Sequence, residues 1–489
     1  MTTKKSGDSF IDKFLVLKSA IRELWVLFVA KIFTILAYSL VNTVLVLWLS
    51  SNLHFSDEKA GFIIAIWSTL LTIFTVMVGS LVDAVGIKKS LVAGFTIAAL
   101  SRFVMAVFAV KWIAVPFGLF PLALGEALQT PVMVAAVKRF TTTKQRSIAF
   151  SVYYSMMNVG FAFAGWMVDK IRQGLGDLSH FNIAGFDITT YQIIILLGML
   201  FTLPNILLTV FAIRDGVEAT DDEGVKINKS VSRYEGLSFT KAFYLSSRDA
   251  LKDWSRIFRS LWLQKTFYRF LAFFALVVFT KLILYHMYYT FPKIAMRELG
   301  EGVPFGQLFG VLNAVIVIIL APIAGALMQK VTAYKSVVIG TSIASLAVFF
   351  MAVPPVWFQG MADGWFGKAI GMWLGLSGQI NPLYVSIVLF GIVYSVGEAF
   401  YSPRLYEYPA AIAPKGQEGS YMALSMLPYF LAKFFVGSVS GVLLVHFCPE
   451  TGPRNSQMIW IIVGAMALIT PIGLILAKPY IGVKESGRE

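Results

Sequence analysis

Two glutamates lie where water should be scarce. Glu126 in GEALQTP, Gly125 to Pro131, and Glu398 in GEAFYSP, Gly397 to Pro403, each sit inside an apolar run, five residues before a proline. Proline lacks a backbone donor, so Pro131 and Pro403 release the carbonyls four residues earlier, at Ala127 and Ala399, and mark hinges. A carboxylate beside a spare acceptor on a bending helix suits a site that grips an ammonium or other polar group and then reshapes. Lys31, Arg102, Lys281, Lys433 and the titratable His286 lie at similar depth. Six unpaired charges in mid-membrane would cost roughly 15–20 kcal/mol, so these groups must be paired or hydrated, and they point to a solute or ion path. His286 is either a proton site or a hydrogen-bonded core residue, and for Arg102 and Lys433 packing or snorkelling competes with function.

The elements that position these charges are membrane spans. The 489 residues are 57% hydrophobic and 14% charged, with mean hydropathy +0.73, too apolar for a soluble enzyme of this length. About twelve segments are long enough to cross the bilayer, centred near Leu36, Thr72, Leu100, Ala127, Gly160, Leu203, Val278, Val317, Ser345, Ile392, Phe435 and Gly464. One cysteine excludes a disulfide framework, and no metal-ligand spacing, nucleotide loop or Gly-x-Ser-x-Gly elbow appears, so no cofactor, ATP-driven motor or enzyme is expected. The net charge of +14 is read as a surface facing anionic lipid rather than nucleic acid. Lys4, Lys5, Lys13, Lys18, Arg22, Lys88, Lys89, Lys138, Arg139, Lys144 and Arg146 fall on one side, so both termini are expected in the cytoplasm of a cell whose inner membrane the chain crosses.

The expected organisation is a cytoplasmic leader over 1–22, a six-helix bundle over 23–213, a linker over 214–266, a second six-helix bundle over 267–478 and a tail over 479–489. The linker opens with an acidic, flexible stretch, DGVEATDDEG, and continues as an amphipathic surface helix with Phe243, Leu251, Trp254, Ile257, Phe258 and Leu261 on one face. When the halves are aligned, the two Gly-Glu-Ala-x-x-x-Pro stretches coincide and Lys31 meets Lys281. Such repeats imply transport by two bundles rocking about a shared midplane site.

Between spans two and three, Gly79, Leu81, Asp83, Gly86, Lys88 and Lys89 resemble the signature of the major facilitator superfamily, with a partial copy at Gly325, Leu327 and Lys335. The resemblance implies an all-α membrane protein of two pseudo-symmetric six-helix bundles, with Gly79, Asp83, Gly86, Lys88 and Lys89 in a cytoplasmic gate latch. Because the first and fourth spans line the cavity in that fold, Lys31 is expected to pair with Glu126 and Lys281 with Glu398. Pro131, Tyr154, Asn158, Gly160, Glu398, Ser402, Pro403, Ala413 and Pro414 resemble spans four, five and ten of the proton-coupled oligopeptide transporters. This implies that Glu398 and Asn158 contact substrate. The first span departs from that family: it lacks Glu-x-x-Glu-Arg, Lys31 occupies that depth, and only Tyr38 matches the aromatic that follows. The chain therefore resembles an outlying relative.

The expected substrate contacts are Lys31, Tyr38, Glu126, Tyr154, Asn158, Lys281, Tyr285, Tyr394 and Glu398, with Glu126, Glu398 or His286 as the proton carrier. The expected function is secondary transport of a small polar or zwitterionic solute such as a di- or tripeptide, with that solute, protons and the bilayer as the expected partners. Two alternatives stay open: a carrier for an organic anion, drug or lipid, which the excess of lysines would suit, and a non-transporting protein that keeps the fold.

Overall fold

A computed structural model of the chain describes residues 16–227 and 262–481 apart from 184, 221–223, 328–330 and 406–426, with scattered positions between 237 and 259. Among these residues ten helices are long and apolar enough to cross a membrane. They are Arg22–Asn52, Asp57–Thr75, Ile87–Val107, Lys111–Arg139, Ile148–Leu175, Thr190–Ala212, Phe267–Tyr289, Ala333–Ala352, Pro382–Tyr401 and Ser456–Ile481. The shorter apolar helices Gly306–Ala321 and Leu431–Phe447 fill the eighth and eleventh places. Each expected span centre falls inside one of these helices.

Local chemistry sets where the spans begin and end. Span six starts at Thr189, whose hydroxyl accepts from the backbone of Gln192 while the Gln192 side chain accepts from the Thr189 N–H at 3.1 Å, a reciprocal cap. Span ten starts at Asn381, whose side chain accepts from the Leu383 N–H at 2.9 Å, and Pro382 follows where no donor is needed. Spans two and three turn at Gly86, with φ of 91°, a region open to glycine but not to most side chains.

Span one begins at the near face, where Arg22 donates to the Ala212 carbonyl at 3.1 Å and Arg214 holds Glu23 at 2.5 Å. It ends at the far face, where Asn52 meets Gln192 at 3.2 Å. The far face carries the hairpin of β1 (His180–Ile183) and β2 (Phe186–Thr189), and a second hairpin of β3 (Val217–Thr220) and β4 (Gly224–Ile227) follows span six. The paired strands correct the expectation of flexibility for Val217–Thr220 and Gly224 of the acidic stretch, while residues 221–223 lie outside the described set. Val217 pairs with Ile227, and Glu218 stands opposite Lys226, an apolar and an opposite-charge pair that favour strand pairing. Thr240, Lys241, Tyr244, Arg248 and Lys252 are helical and exposed, but the expected apolar face of the linker helix lies outside the described residues.

The two halves meet along two seams, spans two with eleven and spans five with eight. In a bilayer, close backbone approach replaces the hydrophobic effect as the force joining helices, and small residues permit it. A Cβ on Gly437 would stand 2.8 Å from the Ala65 nitrogen and 3.0 Å from the Gly61 carbonyl. Gly437→Val is therefore expected to disfavour this arrangement of the halves by about 1–3 kcal/mol. The measurement is maleimide labelling of Cys448, the one cysteine, which is buried near the far end of the same seam. Labelling should accelerate in Gly437→Val and stay unchanged in Gly360→Val, where the added side chain meets open space.

Candidate functional site

The glycine of each Gly-Glu-Ala stretch explains where the adjacent glutamate goes. A Cβ on Gly125 would lie 2.8 Å from the Ala98 nitrogen, so spans three and four touch backbone to backbone there. Arg102 is one turn beyond Ala98 and stands beside Glu126, with Nη2 donating to Oε1 at 3.1 Å and Nη1 donating to the Thr202 hydroxyl at 2.9 Å. Span ten repeats this contact against span nine, where a Cβ on Gly397 would lie 2.6 Å from the Ala344 nitrogen. One turn beyond Ala344, however, is Val348 rather than an arginine. Glu398 instead accepts from Asn313 of span eight at 2.8 Å, and Asn313 also donates to Ser395 at 3.0 Å.

Both expected lysine–glutamate ion pairs are thereby corrected. Glu126 is held by Arg102, and Lys31 lies over the Tyr153 ring, 4.7 Å from its centroid. Lys281 donates to Tyr401 at 3.4 Å and Ser402 at 3.3 Å and faces the rings of Tyr401 and Tyr429 at 4.6 and 4.9 Å. Glu398 stays within electrostatic range of Lys281 without a close ion pair. The physical reason is the helix contact itself: Arg102 and Asn313 occupy the space beside the carboxylates that the lysines were expected to fill.

Lys433 of span eleven is the centre of the arrangement. It is buried and donates to the Tyr38 hydroxyl of span one at 3.0 Å. The rings of Trp67, Tyr38 and Tyr285, from spans two, one and seven, surround it at 5.3, 5.5 and 5.5 Å. Aromatic faces attract an ammonium most strongly when both are desolvated. Tyr285 stacks on Tyr289 at 6.3 Å. Glu126 lies within electrostatic range of Lys433, so both halves contribute to one charged centre.

The remaining expected residues divide. Tyr394 is buried against Phe309 and Phe390, with its hydroxyl 3.4 Å from that of Tyr401. Asn158 donates to the Tyr154 carbonyl at 3.0 Å within its own helix. His286 shares a 2.8 Å hydrogen bond with Thr290 through Nδ1, while buried Nε2 has no hydrogen-bond partner among the described residues. Span four breaks as its proline demands, with helix Phe120–Ala127, a turn at Leu128 and Gln129, and a fresh helix from Thr130. Span ten turns at Ser402 and Pro403. Of the latch residues, Gly86 makes the turn and Lys88 and Lys89 are half-buried and exposed, while the surroundings of Gly79 and the side chain of Asp83 lie outside the described set.

The sequence reading missed the far-face seal. Asp57, at the start of span two, accepts from Lys293 at 2.5 Å and Arg297 at 2.6 Å, both just beyond span seven. Asp169 of span five accepts the backbone N–H groups of Gly306 and Gln307 at 3.0 and 2.5 Å, a carboxylate at the amino end of span eight where the helix dipole favours it. Asp177 accepts from Arg172 at 2.5 Å and from the Gly302 N–H at 2.6 Å, and Arg172 donates to the Val303 carbonyl at 2.8 Å. The available signal was the i, i+4 pair Lys293 and Arg297 on a face otherwise poor in basic residues. Asn313 and Trp67 carried no signal beyond being polar or aromatic within apolar runs.

A family model described as Major Facilitator Superfamily matches residues 27–378. No match is found among curated proteins. Similar solved structures include a POT family transporter in complex with 5-aminolevulinic acid, with a TM-score of 0.69 at 15% identity, covering 96% of this chain and 100% of that one. A POT family transporter in complex with a thioalcohol-conjugated peptide gives 0.68 at 14% identity, covering 96% and 100%. A peptide transporter POT in complex with sulfate gives 0.67 at 16% identity, covering 96% and 99%. The fold is the one those structures share, and the chain belongs to the major facilitator superfamily.

Proposed function

We propose that this membrane protein moves a small polar, zwitterionic solute of di- or tripeptide size by alternating access, driven by protons, across an inner cell membrane with both termini cytoplasmic. The observation that carries the reading is the charged aromatic centre at the seam, where Lys433 of one half binds Tyr38 of the other. A group that joins two mobile halves at mid-depth is where a solute can bias their relative position. The solved neighbours of this fold, one with a peptide conjugate and one with 5-aminolevulinic acid, support a small solute with charged ends.

In this reading Lys31, Tyr38, Tyr154, Asn158, Lys281, Tyr285, Tyr394, Glu126 and Glu398 form the substrate region. Pro131 and Pro403 are the hinges, and Gly79, Asp83, Gly86, Lys88 and Lys89 form the near-face latch. Glu398 is the preferred proton carrier, since its close partner is the neutral amide of Asn313 and protonation breaks no close ion pair. Glu126 would have to leave Arg102, and His286 already shares a hydrogen bond with Thr290, so both rank behind it.

The test is uptake of labelled Ala-Ala and Ala-Glu into proteoliposomes under an inward proton gradient, with and without a protonophore. Wild type is expected to concentrate at least one of them. Glu398→Gln should lose gradient-driven accumulation by about tenfold or more, while exchange of the same solute across the membrane persists. Uptake indifferent to the gradient overturns the coupling and leaves a carrier. Absence of both uptake and exchange for every solute overturns the reading.

A further inference from the structure

Among the described midplane residues the charges do not balance: four cations, Arg102, Lys31, Lys281 and Lys433, face two carboxylates, Glu126 and Glu398, and Arg102 and Asn313 already hold those carboxylates. Among the described residues no carboxylate lies within 4.0 Å of any of the three lysine ammonium groups. Their close partners are hydroxyls and aromatic rings. Rings and hydroxyls ease the desolvation of an ammonium but bring no opposite charge.

The three lysines also share one strip of the seam. Tyr38, which touches Lys433, is seven residues beyond Lys31 on the continuous helix Arg22–Leu47, the same face about 10 Å further along. Tyr285, whose ring faces Lys433, is four residues beyond Lys281 on the continuous helix Lys265–Tyr289, the same face about 6 Å further along. Lys433 therefore stands above the other two. Lys31 belongs to the first half, and Lys281 and Lys433 belong to the second.

We infer that the solute is a net anion with two carboxylates, one met by Lys31 of the first half and the other by Lys281 and Lys433 of the second. This rests on the transport reading and sharpens it from a zwitterion to an acidic solute. Binding such a molecule supplies the missing negative charge and ties the two halves together, so the charge balance and the closing of the halves become one event. The neutral rings and hydroxyls that hold each lysine in its absence are partners that a carboxylate displaces without leaving another buried charge stranded.

The experiment compares Ala-Ala, Ala-Glu, Ala-Lys and glutarate on the purified full-length protein, by thermal shift and by uptake into proteoliposomes, in wild type and in Lys31→Gln, Lys281→Gln and Lys433→Arg. Ala-Glu or glutarate should act at concentrations about tenfold or more below those of Ala-Ala, with Ala-Lys weakest. Lys31→Gln and Lys281→Gln should weaken Ala-Glu and glutarate by about tenfold or more beyond any loss they cause for Ala-Ala, collapsing that preference, and Lys433→Arg should keep it. A response to Ala-Glu but not glutarate identifies an acidic peptide, and a response to both identifies a dicarboxylate of either kind. Equal or stronger action of Ala-Ala on wild type overturns the anion inference and leaves the carrier reading standing. Lysine variants that weaken all probes alike also overturn it. If a variant does not fold, the wild-type ranking of the four probes decides. No response to any probe in either assay overturns the carrier reading and this inference with it.

Discussion

Arg102→Met is expected to destabilise the protein by about 3–5 kcal/mol, because it strands the Glu126 carboxylate without its buried partner. Both members of the pair are buried, and Glu126 Oε2 already lacks a hydrogen bond among the described residues, so no second hydrogen-bond partner replaces the guanidinium, and Lys433 acts on the carboxylate only at longer range. The double variant Arg102→Met with Glu126→Gln should recover most of the loss, since removing both charges also removes the desolvation they had to overcome. Lys31→Met should change stability by no more than about 1 kcal/mol, because its close partner is a ring that an apolar side chain also packs against. Thermal unfolding in detergent reads all three. The contrast tests which cation holds Glu126: a large effect at Lys31 together with a small one at Arg102 would restore the pairing expected from the repeat and remove the one seen here.

The twelve spans were legible because each needs about twenty apolar residues, a signal that no tertiary contact alters. The proline break in span four was legible for a similar reason, since a missing backbone donor acts locally. Partners were not. Glu126 and Glu398 have the same neighbours in sequence, yet one takes an arginine from span three and the other an asparagine from span eight. The difference comes from a single position, Arg102 against Val348, one turn beyond the residues that touch Gly125 and Gly397. Which lysine reaches which carboxylate depends on helix rotation and on the glycine contacts that fix interaxial distance, and neither is written in hydropathy. Lys433 and Arg102 were visible as charges at depth, but their roles emerged only when spans eleven and three were placed against their neighbours. Asp57 sits among the polar residues at the head of span two, and as a loop-end acid it gave no hint of the two cations that converge on it from beyond span seven.

That convergence makes Asp57→Ala the strongest lever on the relative position of the halves. In this structure one carboxylate pairs with both Lys293 and Arg297 from the opposite half, and both cations are nearly buried. Arg297 would keep Glu450 at 3.1 Å and the Cys448 carbonyl at 2.6 Å, but those partners belong to its own half and hold nothing across the seam. Removing the cross-seam partner of a buried pair costs about 3–5 kcal/mol, enough to shift two near-balanced arrangements by more than a hundredfold. The far face should then open, and Cys448 reports it. Burial and the nearby Glu298 carboxylate push its thiol from an ordinary 9.0 up to about 11, and only the thiolate attacks maleimide. Below both values the thiolate fraction rises tenfold per pH unit. A thiol released to water should therefore label on the order of a hundredfold faster at neutral pH, before any gain from access is added. The sign follows from the direction of the shift: the closed state withholds thiolate, so opening accelerates labelling at neutral pH and the difference between the two states narrows as pH rises toward 9 and beyond. Lys293→Ala, which removes one cation but leaves Asp57 with Arg297, should give a smaller acceleration in the same direction. Equal labelling of wild type and Asp57→Ala across that pH range would mean that the glycine contacts along the seams hold the far face shut without the charges.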